Sequence, residues 1–123
     1  SQGYYVEPTI FDNVDPQHNI AQEEIFGPVL SVISFDDEDE AIQIANNTCY
    51  GLAAYATTQN LGRAQRLARR INSGHLMILG SSDPADGSVG VSGEPQKESG
   101  FGCEVGLAGL ASYTVSTAVQ ILV

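Results

Sequence analysis

Asn60-Leu61-Gly62-Arg63-Ala64-Gln65-Arg66-Leu67-Ala68-Arg69-Arg70-Ile71 is the stretch on which the fold turns. Leu61, Ala64, Leu67, Ala68 and Ile71 recur at the 3.6-residue spacing of one helix face, while Arg63, Arg66 and Arg70 take the other side. Asn60 is a preferred helix-capping residue, and Gly74 is a natural stop beyond the last turn. Apolar runs flank this helix. Residues 52–58 precede it, and residues 75–79 (His-Leu-Met-Ile-Leu) follow it, each reading as a strand.

The same alternation extends upstream. Val29, Leu30, Val32, Ile33 and Phe35 form the best β-branched apolar run, predicting a strand over 29–35. A helix follows. Asp37 caps it, with Glu40 three residues on to complete a capping-box pattern. The acidic run over 36–40 lies where the helix dipole favours negative charge, so it needs no metal to explain it. Ala41, Ile42, Ile44 and Ala45 supply the buried side; Asn46-Asn47-Thr48 ends the helix, and Gly51 falls in a loop. The centre therefore reads strand, helix, strand, helix, strand, which predicts an α/β layer with right-handed crossovers.

The flanks are less regular. Residues 4–14 read as an extended segment that Pro8 demotes to an edge strand or an irregular stretch. Residues 20–26 form a short segment that stops at Gly27-Pro28. Residues 80–102 are rich in Gly, Ser, Asp and Pro; so long a loop in a compact domain is functional or disordered. Residues 104–112 read as a helix. Residues 113–123 read as a β-rich tail of alternating side chains (Tyr113, Thr114, Val115, Thr117, Val119, Ile121, Val123) that must find a neighbouring strand in this chain or another.

Charge narrows the partners. The net charge of −10 disfavours nucleic acid and anionic membrane, both of which need cationic contacts. The arginines over 63–70 are explained as the solvated face of one helix. No apolar run approaches the roughly 20 residues of a membrane span. The two cysteines, Cys49 and Cys103, and the two histidines, His18 and His75, are isolated from one another, so no metal pattern emerges. Reduced thiols and a cytoplasmic location are the expectation. The start carries neither a signal-peptide pattern nor an initiator methionine, as for a segment of something longer.

Catalytic sets are incomplete. Cys49 lies at a predicted helix-to-strand turn, and Cys103 opens the last predicted helix, where the dipole could depress its pKa. Neither has a histidine nearby in sequence to act as base. Gly100-Phe101-Gly102-Cys103-Glu104-Val105-Gly106 has the wrong spacing for a nucleotide-binding glycine loop and does not follow a strand. The informative block is Glu23-Glu24-Ile25-Phe26-Gly27-Pro28-Val29. A carboxylate held on a rigid turn is a bidentate acceptor for sugar hydroxyls. An aromatic two residues on projects on the same side of an extended chain and can pack on a flat heteroaromatic ring. The plainer alternative makes Glu23 and Glu24 solvated charges and Phe26 part of the core.

This block, with Ala21-Gln22 before it, resembles the aldehyde dehydrogenase family, and so do its neighbours. Gly3-Tyr4-Tyr5-Val6-Glu7-Pro8-Thr9-Ile10, Ala45-Asn46-Asn47-Thr48-Cys49-Tyr50-Gly51-Leu52-Ala53-Ala54, Leu61-Gly62-Arg63-Ala64, Ser99-Gly100-Phe101-Gly102 and Tyr113-Thr114 follow in the family's order. The resemblance implies oxidation of an aldehyde to an acid with NAD or NADP. It assigns Glu24 to the nicotinamide ribose hydroxyls and Phe26 to the nicotinamide side. The family's cysteine nucleophile and general-base glutamate lie upstream of these residues, and neither Cys49 nor Cys103 matches the nucleophile. The family's Pro-Phe-Gly-Gly block is altered to Ser92-Gly93-Glu94-Pro95, Lys97 fits the lysine after it, Leu79 replaces an asparagine and Cys103 an arginine. This loop helps form the aldehyde entrance in relatives.

The expectation is a partial catalytic domain over 1–112 and an oligomerisation strand over 113–123. No catalytic or metal-binding residue lies in this chain on that reading. It would self-associate through the tail, bind NAD weakly or not at all alone, and be inactive alone. One rival is a stand-alone truncated relative that dimerises without catalysis. Another is a small nucleotide-binding protein using Glu24 and Phe26 by themselves.

Overall fold

The computed structural model describes residues 3–80 and 93–122. Part of the predicted loop over 80–102, with Ser92 of the altered block, and Val123 of the tail lie outside the described residues. The chain divides into two units, Ser1–Cys49 and Tyr50–Val123.

The first unit contains β1 (Thr9–Phe11), α1 (Asn19–Gln22), β2 (Val29–Ser31) and α2 (Glu38–Asn46). β1 and β2 are parallel, with Thr9 opposite Val29 and Phe11 opposite Ser31. The strand predicted over 29–35 is thus cut to its first three residues. Its partner explains why. Pro8 cannot donate to a ladder, and Asn13 adopts a left-handed backbone, φ 51°, that turns the chain away. Two further bonds continue past the strand ends, Val32 N to Phe11 O at 2.8 Å and Val14 N to Val32 O at 3.0 Å. Val14 and Ile42 of α2 are the buried apolar side chains among the described residues.

α2 starts where its capping pattern predicts. The Asp37 carboxylate accepts from the Glu40 N–H at 2.9 Å. Glu40 reaches back to accept from the Asp36 N–H at 2.6 Å, one residue before the usual capping-box donor. Glu38, Asp39 and Glu40 fill the first turn, at the positive end of the dipole.

The second unit holds β3 (Tyr50–Gly51), β4 (Ala53–Thr57), α3 (Leu61–Arg70), β5 (His75–Leu79), β6 (Gln96–Lys97) and α4 (Gly106–Ala111). The β4-α3-β5 unit is the one the periodicity predicts: its strands run parallel, in register from Ala53–His75 to Thr57–Leu79. Asn60 caps α3 by accepting from the Arg63 N–H at 2.9 Å. The helix stops at Arg70, with Ile71 already extended. Gly74 is therefore not its terminator.

Gly51, expected in a loop, lies in β3 and is buried. It pairs antiparallel with Gln96, its carbonyl accepts from the Gly74 N–H at 2.9 Å, and its N–H donates to Ser99 Oγ at 2.9 Å. A Cβ there would lie 3.0 Å from Gln96 Cβ and 3.2 Å from Gln96 O, so a side chain would need β6 to give by a few tenths of an ångström.

The last helix begins later than the expected residue 104, because Val105 (φ 72°) and Gly106 (φ 65°) are left-handed. Cys103 therefore does not open α4, and the dipole argument for its thiol fails. Residues 115–122 adopt neither helix nor strand, and Val115, Val119, Ile121 and Leu122 are exposed. Among the described residues the architecture is three two-stranded sheets rather than one layer, and its class is α/β as expected. No helix among the described residues is long and apolar enough to cross a membrane.

Candidate functional site

α1 ends abruptly at Gln22. Glu23 is extended (φ −108°, ψ 142°), and its N–H donates to Asn19 O at 2.7 Å. The chain then runs through Glu24 and Ile25 to Phe26, whose backbone is left-handed at φ 58°. For a bulky residue this costs about 1–2 kcal/mol. Two backbone bonds hold it there. The Val29 N–H donates to Gly27 O at 2.8 Å, closing a three-residue turn around Pro28. Proline's fixed φ suits that turn. The Thr9 N–H donates to Pro28 O at 2.9 Å, fastening the turn to β1.

Two side chains tie α1 to its surroundings. Ser31 Oγ, on β2, donates to Ile20 O at 3.0 Å. Gln22 Nε2 donates to Pro16 O at 2.6 Å and to Asn47 O at 2.9 Å. Within this frame lies an open groove of ≈ 300 Å³, lined by Ile20, Glu23, Glu24, Phe26, Val29 and Ser31 among others. Glu23 and Glu24 are exposed, and Phe26 is 91% exposed. Among the described residues the Phe26 ring is thus not part of a core, while Glu23 and Glu24 are the solvated charges of the plainer alternative. The strict alternation of an extended chain stops at Phe26, yet Glu24 and Phe26 both line one groove. A carboxylate-bearing residue and an exposed aromatic residue on one groove suit a vicinal diol joined to a flat heterocycle.

Glu24 and Phe26, which both line the groove, were singled out by the sequence. Gln22 and Ser31 were not, because their bonds reach carbonyls six to 25 residues away that no local pattern marks.

The second unit holds another cavity, ≈ 600 Å³, lined in part by His75, Gly93, Phe101, Cys103, Glu104 and Tyr113. Cys103 is half-buried there, whereas Cys49 is exposed. Lys97 is left-handed (φ 57°) and pairs with Tyr50. Leu79 closes β5. No group of three or more His, Cys, Asp or Glu among the described residues is placed to hold a metal ion.

The profile of the aldehyde dehydrogenase family matches residues 1–119. Solved structures agree. Betaine aldehyde dehydrogenase from Staphylococcus aureus, in complex with NAD+, is 40% identical with a TM-score of 0.80, over 92% of this chain and 22% of that one. A variant of aldehyde dehydrogenase C from Pseudomonas syringae, complexed with NAD+ and octanal, is 42% identical with a TM-score of 0.79, over 91% of this chain and 22% of that one. An indole-3-acetaldehyde dehydrogenase in complex with NAD+ is 47% identical with a TM-score of 0.79, over 89% and 21%. The chain thus spans about a fifth of the length of these structures.

Proposed function

The chain belongs to the aldehyde dehydrogenase family, and from that premise we propose that it is the C-terminal part of a catalytic domain that grips the nicotinamide half of NAD(P). One observation carries the reading: Glu24 and the exposed ring of Phe26 share one groove on a turn fixed by hydrogen bonds. Glu24 accepts hydrogen bonds from the two ribose hydroxyls. Phe26 covers one side of the nicotinamide ring and keeps water from it. When bound, the cofactor accepts the hydride removed from the aldehyde carbon. The thiolate that attacks that carbon and the base that activates water for hydrolysis belong to the larger part of the protein outside these residues. Cys49 and Cys103 take no part in that chemistry.

The chain alone is therefore inactive and binds NAD+ weakly or not at all, since most cofactor contacts are elsewhere. Calorimetric titration tests this. In the whole protein, Glu24→Gln should weaken NAD+ about 10-fold or more, the loss of a charged hydrogen-bond acceptor. Unchanged affinity in that variant, or submicromolar saturable binding by the isolated chain, would overturn the reading. Domain limits of 1–112 and 113–123 go with it, as does a cytoplasmic location.

A second reading concerns the tail. Tyr113 is 89% exposed, Val115 91% and Leu122 87%, so burying them against a second copy removes a large apolar area from water. This favours self-association through residues 113–123, without nucleic acid or membrane as partner. Sedimentation of the protein with and without the tail tests it; a monomer in both cases refutes it. If the whole protein has no other part, the same tail makes it a dimerising module without catalysis.

A further inference from the structure

We propose that Gln22 is the positioning residue for the Glu24 carboxylate, a role that rests on the cofactor site proposed above. Gln22 is the last residue of α1 and is half-buried. Its amide makes two donations to backbone carbonyls on different segments, Pro16 O at 2.6 Å and Asn47 O at 2.9 Å. Both partners can only accept, so the amide nitrogen must face them. Pro16 belongs to a turn held by the His18 N–H on Asp15 O at 2.9 Å and by the Gln17 N–H on the Asp15 carboxylate at 2.8 Å. Asn47 is the C-cap of α2, where carbonyls lack helical partners and the dipole is negative.

One amide thus joins the turn, the end of α1 and the end of α2. The chain leaves α1 at the very next residue, Glu23. Glu24 is two residues from the clamp, about 7 Å along an extended backbone. A four-residue helix cannot fix that exit by its own hydrogen bonds. Ser31 Oγ on Ile20 O holds the helix from the groove side, and Gln22 holds it from the other two segments. The two donations fix the backbone two residues before Glu24, while the turn after Phe26 keeps its own anchor at Pro28.

The chemistry asks for two donors and no acceptor. Gln22→Glu is near-isosteric but sets a carboxylate against two carbonyls, one at a negative helix end. Gln22→Met keeps length and supplies neither donor. Gln22→Lys carries three donors and restores the contacts.

The test uses the whole protein and NAD+ itself. NAD+ affinity is measured by calorimetry, and KM for NAD+ and for the aldehyde by steady-state kinetics, with Glu24→Gln alongside. The expected result is about 10-fold weaker NAD+ binding in Gln22→Glu and several-fold in Gln22→Met. Gln22→Lys stays near the unmodified protein, and the aldehyde KM stays within twofold throughout. If Gln22→Glu does not fold, Gln22→Met against Gln22→Lys carries the comparison. Weak binding in Glu24→Gln with unchanged binding in Gln22→Met overturns the positioning role and leaves the site intact. Equal losses in Gln22→Met and Gln22→Lys, or a parallel rise in aldehyde KM, overturn it as mere loss of structure. Unchanged binding in Glu24→Gln overturns the site itself.

Discussion

Gly74 and Gly93 meet backbone to backbone. A Cβ on Gly93 would stand 3.0 Å from the Gly74 carbonyl carbon and closer still to its oxygen. One on Gly74 would stand 2.7 Å from the Glu94 carbonyl carbon and 3.1 Å from Pro95 Cα. Neither obstacle is the end of a flexible side chain. Gly74→Ala and Gly93→Ala should each destabilise the second unit by about 2–3 kcal/mol, the scale of overpacking. Because one separation of the two segments relieves both clashes, the double variant should cost clearly less than the sum. Chemical denaturation measures all three; single losses under about 0.5 kcal/mol would contradict the packing.

Phe26 lets stability and binding be pulled apart. At φ 58° glycine is unstrained, whereas alanine still carries a Cβ. Phe26→Gly should be more stable than Phe26→Ala by about 1 kcal/mol. Both lose the ring, so both should weaken NAD+ to a similar degree. Paired melting and calorimetry decide the matter. An alanine variant as stable as the glycine one would mean that the turn relaxes.

The α3 cap is a single contact and easy to isolate. Asn60→Ala removes the acceptor of the Arg63 N–H and should cost about 1 kcal/mol, while Asn60→Ser should cost only a few tenths. Equal losses in the two variants would show that the bond contributes nothing.

Ser99 serves Gly51. Ser99 Oγ accepts from the Gly51 N–H at 2.9 Å in a half-buried place. Ser99→Ala leaves that donor without its partner, at a cost of about 1–3 kcal/mol. Exchange of the Gly51 amide proton should quicken accordingly. Unchanged exchange would argue against the assignment.

Local signals were the legible ones. The caps at Asp37 and Asn60 act through bonds three residues long, and the β4-α3-β5 unit was visible because its strands are joined by a single periodic helix. The turn at Gly27-Pro28 was marked by its breaker pair. Long-range pairings left no such trace. The β3–β6 pair joins Tyr50 to Lys97, and nothing near Gly51 in sequence points to Gln96. The strand at Val29 is shorter than its apolar run because its length is set by a partner with a left-handed residue at Asn13. α4 starts later than its composition suggests because Val105, at φ 72°, cannot be helical. Half of the site obeys the same rule: Glu24 and Phe26 are written in one motif, and Gln22 acts through Asn47, 25 residues away.

The left-handed turn at Phe26 has a consequence for adaptation. The backbone fixes the direction of the Cα–Cβ bond at position 26 as the chain folds, so a ligand that packs there would have only the side-chain torsions left to order. The contact surface can then be retuned by changing the side chain alone. Leucine, tyrosine or histidine at position 26 would inherit the same aim, since the bonds that hold the turn belong to Gly27, Pro28 and Thr9. Pre-organisation of this kind separates what the site points at from what it touches it with.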